Sequence, residues 1–363
     1  MNKLNFQAPI TTNTGYGITS TNILKSLIEL NVDIALFPIG DVTLESVEDK
    51  NLIEPIFQKT QVSYNQNDPN LKIWHQFDLA NRIGKGKYGA LVFFEVDKLK
   101  PNEVNHLNNV DTVFVSSKWA ADILKQNGVS SKIVVAPLAV NTNIFKDYKN
   151  PYIFPEKTDT YKFINIGKWE IRKGHDFLLE AFNNAFTEED KVELYMLNHN
   201  GFLTEQENKI WANMYKQSKL GNKINIMPRA ATHTDLAKII RDVDCGIFPA
   251  RAEGWNNEIL EVMALNKPII TTNYSAHTEY CTADNAYLID IDGLTQAEDG
   301  KFFDGSGNWA DLGQKQMEQT VEYMRKVYNE GIKTNSAGLE TVQKYTWENT
   351  ASIIKTEMFD ATT

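Results

Sequence analysis

Two glutamates, Glu253 and Glu261, bracket a Gly-Trp-Asn-Asn turn inside ARAEGWNNEILEVMALNKPII, residues 250–270. Ile259, Leu260, Met263 and Ala264 follow the spacing of a helix face buried against a sheet. Asn256 and Asn257 are suitable N-cap residues for that helix. Amides at such a helix start point outward, with the positive end of the helix dipole behind them, and receive phosphate. Glu261, about one turn into the helix, is placed to accept hydrogen bonds from a sugar diol, and Glu253 faces the same ligand from ahead of the turn. Acidic residues also occur in first helical turns simply because they offset the dipole, so the pair takes its meaning from what surrounds it.

The surrounding elements are strands alternating with helices. KLNFQA, VDIALFPI, LKIWHQF, YGALVFFEV, TVFVSS and KIVVAPLAV are strand candidates in the first half, with helical patterns such as ITSTNILKSLIEL and SKWAADILKQNG between them. The pattern restarts with YKFINIG, VELYMLN, INIMPR, CGIFPA, PIITTNY and AYLIDI. Alternation of this kind predicts an α/β protein with parallel sheets covered by helices. At 363 residues the chain is too long for one ordinary core. The boundaries read as a Rossmann-like domain over 1–148, a proline-containing linker over 149–160, a second Rossmann-like domain over 161–335, and a helical segment over 336–363 that packs back on the first domain. Two doubly wound domains facing across a cleft are expected, with ligands at the carboxyl ends of the strands. The C-terminal third reads as helical, with LGQKQMEQTVEYMRKVYNEG and WENTASIIKTEM amphipathic.

Bulk composition is globular, at 42% hydrophobic and 23% charged. The two cysteines, Cys245 and Cys281, make no disulfide framework. No apolar run reaches the ~18 residues of a membrane span, and the N-terminus has no signal-peptide core. The expected location is cytoplasmic. The net charge of −10 is uneven: residues 1–148 hold 14 basic and 15 acidic residues, the remainder 23 and 32. Overall acidity argues against a nucleic-acid partner, yet it says little about the near-neutral first half.

The stretch Glu253-Gly-Trp-Asn-Asn-Glu-Ile-Leu-Glu261, followed by Met263-Ala264 and Lys267-Pro268, resembles the E-x7-E segment of retaining nucleotide-sugar glycosyltransferases of the GT-B fold. INIGKWEIRKGHDFLLEAF is similar to the same family's strand-turn-helix, with Gly167-Lys168 and Lys173-Gly174 in place of its Gly-Arg and Lys-Gly. VFVSSKWAADILKQNGVSSKIVVAPLAVNTNIF resembles the stretch that closes the N-terminal domain. The resemblance implies transfer of a sugar from a nucleoside-diphosphate sugar to an acceptor hydroxyl, with retention and without a bound metal or other cofactor. It implies that Glu261 binds the donor ribose and Glu253 the transferred sugar. It further implies that Lys168 and Lys173 neutralise the diphosphate leaving group, and that amides from Trp255 through Asn256 and Asn257 to Glu258 contact phosphate or sugar. Lys168 departs from the family's Arg, keeping charge but losing the bidentate fork. Asn256 stands where Gly is usual, and Asn tolerates left-handed backbone.

In the first domain the glycine turn Thr14-Gly15-Tyr16-Gly17 follows a strand, and the resemblance places it beside the donor. Glu95, with Asp97 near, falls where many members have a histidine close to the reacting carbon; a carboxylate there suits a sugar hydroxyl or an acceptor proton. His75 ends a strand as a candidate cleft residue or a half-buried structural histidine, and Arg229 is a nucleobase or phosphate contact or a surface cation. His277 reads as structural or peripheral. The loop NRIGKGKYG carries Arg82, Lys85 and Lys87 among glycines, either an ordinary solvated turn or a site for a phosphate-bearing acceptor. Acceptor candidates are modified DNA, as for some phage glycosyltransferases acting in host cytoplasm, or a glycan or lipid. The competing functions are a sugar-nucleotide epimerase of the same fold and a non-catalytic sugar-nucleotide binding protein.

Overall fold

The computed structural model describes residues 2–148 and 159–360, and most of the linker expected at 149–160 lies outside the described residues. The chain divides into two compact units, Met1–Ala139 with Tyr345–Thr363, and Val140–Lys344.

The first unit is built on β1 (Asn2–Ala8), β2 (Val32–Pro38), β3 (Asn70–Ile73), β4 (Tyr88–Leu91), β5 (Thr112–Val115) and β6 (Lys132–Val135), in the order β2-β1-β3-β4-β5-β6. Every pairing is parallel. Helices α1 (Gly15–Glu29), α2 (Val47–Ser63), α3 (Pro101–Leu107) and α4 (Lys118–Gln126) belong to this unit. Side-chain caps fix several starts: Thr14 accepts from the Gly17 amide at 3.2 Å and Ser117 from that of Ala120 at 3.2 Å. The central strands are buried on both faces, as helices on both sides require.

The second unit repeats the plan. It contains β7 (Tyr161–Gly167), α5 (His175–Ala185), β8 (Val192–Asn198), α6 (Glu205–Lys216), β9 (Ile224–Ile226), α7 (His233–Arg241), β10 (Cys245–Phe248), α8 (Asn257–Ala264), β11 (Ile269–Thr272) and β12 (Tyr287–Ile289). The order β12-β11-β10-β7-β8-β9 is the Rossmann order, which reverses direction between β7 and β10. In the first unit the reversal falls between β1 and β3. Both domains are therefore Rossmann-like, doubly wound and parallel.

The expected all-helical C-terminal third is interrupted. An antiparallel ribbon, β13 (Leu294–Glu298) and β14 (Asp304–Ala310), precedes α9 (Gln314–Asn329). Its turn is made by Asp299, whose Oδ1 accepts from the amides of Lys301, Phe302 and Phe303 at 2.8–2.9 Å, with Gly300 at φ +71°. The segment 336–363 is divided between the units: α10 (Ser336–Val342) lies in the second, whereas α11 (Trp347–Phe359) lies in the first and packs against α1. Among the described residues, no helix is long and apolar enough to cross a membrane.

Candidate active site

Lys168, Lys173 and Glu253 gather where the strand order of the second unit reverses, at the carboxyl ends of β7 and β10. β7 ends at Gly167, and the chain loops through Lys168–Gly174 into α5. Gly174 has φ +72°, and a Cβ there would stand 2.0 Å from the Pro249 carbonyl oxygen, so the turn demands glycine. Gly167, at φ +144°, leaves room for the Lys173 side chain, which a Cβ would meet at 3.1 Å. These two glycines fix the path of Lys173 across the end of the strand.

Lys173 Nζ lies 2.7 Å from Glu253 Oε1 and 3.8 Å from Glu258 Oε1. Arg172 Nη1 lies 2.8 Å from Glu253 Oε2 and donates to the Ala252 carbonyl at 2.7 Å. The other edge of its guanidinium holds Glu170 Oε2, at 3.1 Å through Nε and 2.7 Å through Nη2. Lys168 Nζ completes the chain, 3.1 Å from Glu170 Oε1, with a 45% exposed side chain. Burial pushes the Glu253 carboxyl up, but the adjacent Arg172 and Lys173 cations overturn that and hold it well below the usual carboxylate range. Burial likewise opposes the charge of Lys173, and Glu253 and Glu258 outweigh it, leaving its pKa raised. The network is ionised and tightly paired. Arg172 is a functional residue the sequence reading missed; the alternation Glu170-Ile-Arg172, placing both charged side chains on one side, was its only signal.

Asn256 is the N-cap of α8, in left-handed backbone at φ +76°, as the substitution of Asn for Gly requires. Its side chain does not cap the helix. It turns to His277 Nε2 at 3.1 Å, and neither Asn256 Oδ1 nor Asn257 Oδ1, both buried, has a partner among the described residues. His277 is buried at the hub of this turn rather than peripheral, its Nδ1 meeting Thr271 Oγ1 at 3.1 Å and the Thr272 carbonyl at 3.2 Å. Burial holds it neutral, with its pKa lowered to about 4. The Trp255 ring is buried against Tyr280 at 4.7 Å, whose hydroxyl donates to the Trp255 carbonyl at 2.7 Å; a ligand reaches Trp255 through its backbone and not its ring face. Glu261 is buried one turn deeper, and no hydrogen bond to its carboxylate is made among the described residues. Burial, then the neighbouring Glu258 charge, pushes its pKa well above the usual range.

Arg229 is not at a strand end: β9 stops at Ile226, and Arg229 is exposed in the following loop at the sheet edge, beyond β8 from the lysine–glutamate chain.

In the first unit, the residues expected beside a ligand gather at the carboxyl ends of β1, β3 and β4. β3 ends at Ile73, earlier than the run LKIWHQF indicates, which releases Trp74–Phe77 as a loop. Tyr16 packs on His75 (4.8 Å) and Phe93 (5.1 Å), and the charge of Glu95 acts on its hydroxyl. Gly15 opens onto free space, whereas Gly17 is packed: a Cβ there would meet Thr11 at 2.2 Å, so Gly17 serves the fold. The loop 81–89 is at the opposite, amino-terminal edge, since it leads into β4 from below. Its glycines pack rather than admit a ligand: a Cβ on Gly84 would meet the Gln66 carbonyl oxygen at 2.7 Å, and one on Gly86 that of Asp68 at 2.2 Å. Lys87 is 3.4 Å from Glu357 of α11, and Arg82 lies over the Tyr88 ring at 5.6 Å. The solvated-turn reading of this loop fits its place in the sheet.

Residues 160–298 match the family model described as glycosyl transferases group 1, covering both lysines and both glutamates. An uncharacterized glycosyltransferase of Methanocaldococcus jannaschii is 26% identical over 192 residues, 52% of this chain, and the chain spans only 40% of that relative. The fold is shared with sucrose-phosphate synthase from Thermosynechococcus elongatus (TM-score 0.72, 12% identity, 98% of each chain). It is shared also with a glycosyltransferase from Rickettsia africae (TM-score 0.69, 16% identity, 99% of each chain). Anabaena HepE, solved with UDP-glucose, is a third (TM-score 0.68, 14% identity, 98% of this chain and 99% of that one).

Proposed function

We propose, from the match of residues 160–298 to the glycosyl transferases group 1 model and the geometry above, that the protein is a retaining glycosyltransferase moving a sugar from a nucleoside-diphosphate sugar to an acceptor hydroxyl. The observation that carries the reading is the convergence of Lys168, Lys173, Glu253 and the start of α8 at the reversal point between β7 and β10. Departure of a nucleoside diphosphate develops negative charge, and fixed cations and helix-start amides stabilise it. Lys168, half-exposed, is open to the diphosphate. Lys173 has three donors, so it is able to hold Glu253 and a phosphate oxygen together. Glu253, kept ionised by Arg172, accepts hydroxyls of the transferred sugar. Glu261, buried without a donor of its own, accepts those of the ribose. Arg229 keeps a role only as a contact to the outer part of the nucleotide.

HepE crystallises with UDP-glucose and with UDP and glucose, which makes UDP-sugars the first donors to try. The test is NMR of the product's anomeric coupling, with and without EDTA. Retention in the presence of EDTA is expected. An inverted anomer, or loss of turnover that only metal restores, would overturn the mechanism. Conversion of the free sugar nucleotide without acceptor would indicate the epimerase alternative.

A further inference from the structure

We propose that the carboxyl end of the first unit's sheet carries a saccharide platform, the Phe77 ring stacked on His75, and that the acceptor is therefore a glycan. The inference rests on the transferase reading and names the acceptor class for it. Three observations carry it.

The first is position. Tyr16 follows β1, Trp74–Phe77 follow β3, and Glu95 follows β4. The sheet order reverses between β1 and β3, and in doubly wound sheets ligands bind at such a reversal, outside the carboxyl ends of the strands. The second is the construction of the ring surface. Phe77 is 48% exposed, yet it lies parallel to His75, 5.0 Å away and within 7°. His75 is braced edge-on by Trp74 at 4.7 Å and Tyr16 at 4.8 Å. An exposed ring held so firmly presents a flat, preorganised apolar face, and such faces suit the C–H face of a sugar ring. The third is charge. Glu95 follows β4 at this edge, and Asp78 accepts from Trp74 Nε1 at 3.0 Å, with the buried Lys72 ammonium 3.9 Å from its other oxygen. Carboxylates accept hydrogen bonds and donate none, which favours hydroxyl groups and repels phosphates. The basic loop that would attract a polyanion is at the other edge of the sheet, with Lys87 held by Glu357. Gly15 leaves open space at the turn for close approach of a ring.

The test uses the full chain and saturation-transfer NMR with a panel of methyl and p-nitrophenyl hexosides. A DNA duplex containing 5-hydroxymethylcytosine is examined in parallel by gel shift, and consumption of UDP-, GDP- and ADP-sugars is followed separately. At least one hexoside is expected to bind, F77A to weaken it by about tenfold, and F77W to retain it. An unchanged melting midpoint confirms that F77A, which removes an exposed ring, is folded. The platform is overturned if no hexoside binds, if only the DNA binds, or if F77A binds hexosides as tightly as the parent. Binding does not depend on turnover. Phe77-dependent hexoside binding with no consumption of UDP-, GDP- or ADP-sugars offered in turn would keep the platform and remove the transferase reading, while sugar transfer with no Phe77 effect would do the reverse.

Discussion

Arg172 Nη1 stands 2.8 Å from Glu253 Oε2, and both side chains are buried. Glu253 also meets Lys173 and Arg172 also holds Glu170, so the pair sits inside a longer chain of buried charges. Removing one member of a buried ion pair leaves an uncompensated charge and costs about 3–5 kcal/mol. Arg172→Met is expected to lose stability of that order, and Arg172→Lys less, because it keeps charge but not the fork that also holds Glu170 and the Ala252 carbonyl. Urea denaturation monitored on the second unit measures both. The pH dependence provides an independent check. Glu253, with its folded pKa depressed, contributes stability that is present above the ordinary glutamate value of about 4.3 and is lost as pH falls through the folded value. In Arg172→Met the folded value moves up toward the unfolded one, so the acid-dependent loss should be smaller and complete at a higher pH. A variant as stable as the parent, with the same acid limb, would show that Lys173 alone suffices.

Glu261 has the opposite sign. Its folded pKa is raised by burial and then by Glu258, so its contribution to stability is full below the unfolded value and declines as pH rises through the folded one. Hydroxyl donors favour the ionised form. Nucleoside diphosphate binding should therefore expel a proton, and affinity should climb with pH until the folded pKa is passed. Calorimetry in two buffers of different ionisation heat counts the proton, and Glu261→Gln should abolish both the release and the pH slope. Unaltered proton release in that variant would move the ribose contact elsewhere.

Lys168 is the cation most open to a leaving group. Lys168→Ala is expected to lower kcat on the order of 10²-fold, as loss of one charge-stabilising donor does. Lys168→Arg should keep most activity, because the Glu170 carboxylate 3.1 Å away accepts a guanidinium equally well. Equal loss in both variants would mean that the position acts through shape and not charge.

Changing Arg82, Lys85 and Lys87 together to Ala should leave the acceptor KM and its salt dependence as they are, since the loop is at the amino-terminal edge of its sheet. The same variant should be less stable, because Lys87 no longer meets Glu357; a pair at this exposure contributes at most about 1 kcal/mol. A selective rise in acceptor KM would return the loop to acceptor binding.

How much of this was legible in the residues follows from what each signal measures. Alternating apolar runs report burial on a sheet, and all twelve principal strands were visible that way. Glu253 and Glu261 were visible because their spacing about a helix start is local. Arg172 was not, because its partners Glu170 and Glu253 come from two loops far apart in sequence, and composition reads a buried arginine like any other. The edge to which the 81–89 loop belongs depends on strand direction, which charge and glycine content do not encode. The ribbon over 294–310 did carry a local mark, Asp-Gly at 299–300 within a strand-like run, and lay among residues read as helical. The strand end at Ile73 fell short of its apolar run because Trp74, His75 and Phe77 pack on one another in the loop, and β9 stops at Ile226 ahead of Pro228, which has no amide for a ladder.

Helix α11 bears on how the chain acquires its fold. It supplies the first unit with Met358, which a Cβ on Gly89 would meet at 2.6 Å, and with Thr350, whose hydroxyl donates to the Pro137 carbonyl at 2.5 Å. Those residues follow the whole of the second unit in sequence, whereas Val140–Lys344 is one unbroken stretch. On a ribosome adding roughly 5–20 residues per second, the second unit is fully synthesised while the first still lacks a helix. Vectorial synthesis thus runs against the usual order, and the domain translated first is the one that must wait, with part of its apolar surface uncovered, for its closing piece.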